Sequence, residues 1–243
     1  MAEPLAFPWS GQPDAAGCDL ALRQLLIALP ARMAPNGLLH PESLMAAAGS
    51  IAGLAAQVSL LADEQALAEA KASGGLLDVT LNDGRKFLYG DALNRMLWTL
   101  DPAFVRARLW NMLVAAAMDR GLPENDVPDL EMMFRYVTQA MGTDREGFPS
   151  TPREHQPHLP TQKMIQLVGN LGFQCLTGEL TPAVEQPGHR ASEVTWAAIT
   201  AQAAASFLLR ASATLPPRIS MMIAMESAIY ASKTPGSAPP PAN

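Results

Sequence analysis

The longest apolar pattern in the chain runs from Leu44 to Ala62, nineteen residues without a charge. Read as a helix, it places Leu44, Ile51, Leu54, Val58 and Leu61 on a seven-residue repeat, with Ala46, Gly49, Gly53 and Ala56 on a second, flat face. A helix that is apolar on both faces is either the centre of a core or a membrane span, and its small residues let another backbone come close. Ala, Gly, Ser and Gln make this stretch only modestly hydrophobic, and its flanks carry no Lys/Arg asymmetry and no aromatic belt. Insertion into a membrane is therefore not expected, and the segment reads as the organiser of a globular core.

The rest of the pattern surrounds it with helices. Residues 1–14 are rich in Pro and Gly and read as an irregular arm, with Phe7 and Trp9 able to anchor it. A helix is expected over 15–34, with Leu22, Leu25, Leu26 and Leu29 on one face and Pro30 set to end or kink it. Pro41 suits the first turn of the organising helix, and Glu42 lies favourably near the positive end of its dipole. A short polar helix follows Asp63 and stops at Gly74 and Gly75.

The period then changes. Val79, Leu81, Phe87 and Tyr89 flank Asn82, Asp83 and Gly84, which predicts a β-hairpin over about 77–89. Asp91 is expected to cap a helix through about Leu100, and Asp101 with Pro102 to start another that ends before Gly121. Asp129 caps a helix ending at Gly142. Residues 142–160 form a proline-rich loop of a length that is more often functional or mobile than ordinary. Thr161 reads as the cap of a further helix, 177–190 as irregular, 192–211 and 217–232 as helices, and 233–243 as a disordered tail. The expected fold is mainly α: a multi-helix globular bundle, one domain over 15–232, with one small hairpin.

Composition adds a second question. Apolar residues make up 49% of the chain and charged residues only 16%, which implies extensive burial or surfaces covered by partners. A homo-oligomer or a complex with another protein chain is expected on that ground. The net charge of −6, with scattered acidic residues, gives no basic footprint for nucleic acid. Cys18 and Cys175 are too few and too far apart for a disulfide framework and read as buried, reduced thiols. The N-terminus lacks the charge and apolar run of an export signal, so the cytoplasm is the expected compartment.

Candidate chemistry is sparse. No Gly-rich run has phosphate-loop spacing, no serine sits in a nucleophile elbow, and no cofactor fingerprint appears, so no reaction is assigned. Glu154, His155 and His158 in the long loop could ligate a divalent metal if His189, Glu185 or Asp144 completed the set. Glu226 interrupts an apolar helix and needs a partner, for which Arg210 and Arg218 are the nearest cations along the chain. Together with Met222 and Met225, and with Gln57 and Gln202 as polar points in Ala-rich helices, it outlines a methionine-lined pocket for a small apolar ligand. The first functional expectation is a non-catalytic interaction or assembly protein that self-associates through apolar helix faces. An enzyme or sensor using that pocket is the alternative.

Overall fold

The computed structural model describes residues 7–81, 83–180 and 190–235. The fold is mainly α, with a single hairpin among the described residues. Helices α1 (Ala15–Met33), α2 (Pro41–Ala62) and α3 (Glu64–Ala72) precede strands β1 (Leu77–Thr80) and β2 (Lys86–Tyr89). Six helices follow: α4 (Asp91–Leu97), α5 (Leu109–Asp119), α6 (Leu130–Ala140), α7 (Thr161–Thr177), α8 (Trp196–Ala211) and α9 (Pro217–Lys233).

Helix α2 is the centre of the molecule, as its two apolar faces require. Nearly all of its length is buried, and it packs on α9, α8, α7 and α1. It is also long and apolar enough to cross a membrane, but both faces are covered by the chain itself. The flat face meets α9. A Cβ at Gly49 would lie within 2.9 Å of the Ala224 Cα, and one at Gly53 within 2.8 Å of the Ala231 Cβ. The glycines therefore set the distance between the two central helices. One contiguous apolar cluster extends from Trp9 to Tyr230, and α8 and α9 are buried almost as completely as α2. Much of the apolar content is thus buried within the chain itself.

The remaining elements follow local chemistry. Asp63 caps α3 by accepting from Ala66 N at 3.0 Å, and Asp129 caps α6 through Glu131 N at 2.8 Å. The strands pair antiparallel, Leu77 opposite Tyr89 and Thr80 opposite Lys86. Phe87 points inward and meets the Tyr230 ring edge-on at 6.2 Å, which fastens the hairpin to α9. Trp9 anchors the N-terminal arm. It is almost fully buried, stacks on Phe7 at 4.9 Å and donates its indole N–H to Asp19 at 2.8 Å.

Several boundaries differ from the sequence reading. Helix α1 runs through Pro30 to Met33: the proline removes the N–H that would bond the Leu26 carbonyl, and the helix ends within one turn after it. Helix α4 stops at Leu97, and α5 begins only at Leu109, after a short 3₁₀ turn over Val105–Ala107. Asp101 accepts from Ala103 N at 2.9 Å and so closes a local turn in place of a helix. Thr161 is the first residue of α7, with its hydroxyl donating to the Gly147 carbonyl at 2.8 Å. Lys233, assigned to the tail, is the last residue of α9 and only 3% exposed. Its ammonium lies 4.9 Å from the centre of the Tyr89 ring and 5.6 Å from that of Phe134, and burial pulls its pKa down to about 8. Residues 236–243, His189 and Glu185 lie outside the described residues.

Candidate functional site

The long loop is anchored by two buried carboxylates. Glu146 accepts from Tyr230 Oη at 2.7 Å, Gly142 N at 2.8 Å, Gln162 Nε2 at 3.0 Å and Arg85 Nη2 at 3.0 Å, with a second bond from Arg85 Nη1. The guanidinium, helped by the tyrosine, the backbone amide and the glutamine, holds its pKa down at about 2 against the opposing effect of burial. One loop carboxylate thereby ties together the hairpin, α7 and α9. Glu226, from α9, accepts from Ser150 N at 2.5 Å and Ser150 Oγ at 2.6 Å. Neither Arg210 nor Arg218 pairs with it: a serine of the loop answers the buried carboxyl, and burial pushes its pKa up to about 7.

That shift has a sign that can be measured. Because the folded state binds the Glu226 proton more tightly than the unfolded chain, its stabilising effect is present below about pH 4.5 and is lost as pH rises to about 7. Glu226→Gln is therefore expected to gain stability relative to the wild type across that window and to run parallel to it above. Urea unfolding of both proteins at a series of pH values checks this.

Of the residues outlined from sequence, Glu226 alone borders the small space beside it among the described residues. The space beside Glu226, walled by Val137, Gly147, Phe148, Thr161 and Tyr230, measures about 10 Å³, room for a single water and no larger ligand. Met225 is fully buried in the core, while Met222 and Gln202 are half-buried. Gln57 donates to the carbonyls of Ser232 at 2.8 Å and Thr234 at 3.0 Å, closing the end of α9. None of these four lines the space beside Glu226.

The histidines are arranged as a latch at the start of α2. His40 Nδ1 accepts from Ser43 N at 3.3 Å as the helix cap and lies 2.9 Å from Ser43 Oγ. Glu42 bridges His40 Nε2 at 3.3 Å and His155 Nδ1 at 3.1 Å. The His158 ring stacks on His40 at 3.7 Å, and its backbone N–H donates to Ser43 Oγ at 3.0 Å. This network fits a neutral His40 whose Nδ1 carries no proton, and burial, together with His158, pulls its pKa below the ordinary value while Glu42 opposes. Glu154 and Asp144 are exposed. Among the described residues, no three His, Cys, Asp or Glu side chains are grouped to hold a metal ion.

A partly enclosed space with a charged wall lies elsewhere, where the N-terminal arm crosses the end of α2. It measures about 470 Å³ and is lined by Trp9, Leu60, Met96, Phe104, Ala107 and Ala198, with Arg108 as its cation. The lining polar side chains are mostly engaged. Ser59 Oγ donates to Glu193 O at 2.7 Å, Thr195 Oγ1 to Ser192 O at 2.6 Å, Gln12 Nε2 to Pro8 O at 3.4 Å, and Asp63 caps α3. Arg108 differs. Its Nε is buried without a hydrogen-bond partner, no carboxylate among the described residues pairs with it, and its guanidinium lies 5.5 Å from the centre of the Phe104 ring. Burial alone pulls its pKa below that of an ordinary arginine. Sequence reasoning missed this residue, although an arginine between two apolar elements with no acidic neighbour from Pro102 to Met118 was a usable signal.

A second, more open groove of about 880 Å³ is lined by Trp98, Leu100, Trp110, Leu130 and Phe134. Leu100 is 83% exposed there. Comparison with known proteins gives no match to a family model, a curated protein or a solved structure, so the functional reading stands on this geometry.

Proposed function

We propose that the protein is a non-catalytic binding or sensor protein of the cytoplasm, which takes a small ligand with an apolar body into the space beneath the N-terminal arm. The observation that carries this reading is a preformed cleft of about 470 Å³, apolar on most walls, whose size suits a small molecule. The two cysteines, both free and buried, are compatible with a reducing compartment.

The test is binding of the neutral apolar fluorophore Nile red. Ala66 lines the cleft from the short, mostly exposed helix α3, so Ala66→Trp should fill it at little cost to the fold. One dye per chain in the wild type, and at least about tenfold weaker binding in the variant, is the expected result. Equal binding by both proteins, or none by the wild type, would remove the reading.

The exposure of Leu100 in the tryptophan-lined groove favours a second reading, self-association or docking of another chain at that surface. Helix α2 cannot serve this purpose, since both of its faces are occupied within the chain. A dimer that forms with rising concentration in sedimentation velocity would support it.

A further inference from the structure

We infer that the ligand of the arm cleft is an amphipathic acid, an apolar body bearing one carboxylate that Arg108 receives. This rests on the cleft being a ligand site and adds which chemistry it selects. Arg108 is half-buried, its Nε is buried without a hydrogen-bond partner, and no carboxylate among the described residues neutralises it; because a partly desolvated cation is costly without a counter-charge, this wall of the cleft favours an anion. The guanidinium presents a planar pair of donors, matched in geometry to a carboxylate, and the neighbouring Phe104 ring, 5.5 Å from its central carbon, steadies it. Helix α5, which begins directly after Arg108, has no acidic residue in its first turn, so nothing there neutralises either the arginine or the positive helix end. Among the described residues, Asp63 is the one carboxylate on the walls, and it is exposed and engaged as the cap of α3. The other walls, among them Trp9, Leu60, Met96 and Ala198, offer apolar surface to the body of the ligand.

The experiment is calorimetric titration of the intact protein with octanoate and with phenylacetate, each beside its primary amide. The amide keeps the shape and removes the charge. At least one acid is expected to bind about tenfold or more tightly than its amide, the range of a charge-assisted pair. Arg108→Met should erase that preference, so that acid and amide bind alike, and its melting temperature should equal or exceed that of the wild type because an uncompensated charge has gone. Acid and amide binding equally to the wild type would overturn the carboxylate assignment and leave the cleft reading intact. Failure of all four compounds, with Nile red also excluded, would overturn both.

Discussion

Gly49→Ala should destabilise the protein by about 3 kcal/mol or more, at the upper end of overpacking effects. The added methyl group would meet the Ala224 backbone, which belongs to α9 and cannot turn away as a side chain can. Helices α2 and α9 would have to separate, and with them the centre of the core. Gly169→Ala, in the middle of α7, is the contrasting control. Its Cβ would meet only Leu54 Cδ1 at 3.4 Å and Ile165 Cγ2 at 3.8 Å, so the gain in helix propensity should leave stability unchanged or raise it by about 0.5 kcal/mol. Urea midpoints of the two variants check the pair, and equal effects would contradict glycine-set helix spacing.

Glu146→Gln has the second largest expected effect, a loss of about 3 kcal/mol at pH 7. The amide cannot accept from Arg85, Tyr230, Gln162 and Gly142 together as the carboxylate does, and it leaves the Arg85 charge without its main partner. Arg85 is itself partly exposed, so solvent screening limits its share of that loss. The sign with pH is opposite to that of Glu226. A carboxylate held at about 2 gives stability that is fully present above about pH 4.5 and lost as pH falls toward 2. The difference between wild type and Glu146→Gln should therefore shrink between those values, as read by urea unfolding at each pH.

The helices were legible because their signals are local. Apolar spacing marked α2, α8 and α9, and the Asp129 cap falls where the pattern places it. The pairing of Gly49 and Gly53 with α9 was half legible: the small face announced a close neighbour, but not which helix it would be. The delayed start of α5 was not legible, because Asp101-Pro102 is equally competent to close a turn or to open a helix, and tertiary packing chose the turn.

The site was less readable still. Glu226 stood out as a buried carboxyl, yet its partner is Ser150, 76 positions away and in a segment without periodicity. His155 and His158 were singled out as a pair, and the fold brings them to His40 and Glu42, residues separated from them by more than a hundred positions. Arg108 carries no motif at all. The sequence shows that no acidic residue lies near it along the chain, but that no carboxylate among the described residues reaches it in space is a property of the folded surroundings.

Native mass spectrometry of the wild type beside Ala66→Trp, each incubated with octanoate, tests ligand binding in the arm cleft most directly, since one spectrum reports subunit number and bound mass together. A monomer carrying one octanoate per chain, with the added mass lost in Ala66→Trp, is the predicted result. An octanoate adduct that persists when the cleft is filled would contradict it, as would a ligand-free protein that takes up neither phenylacetate nor Nile red, and a ligand-free dimer would move the function to the groove beside Leu100.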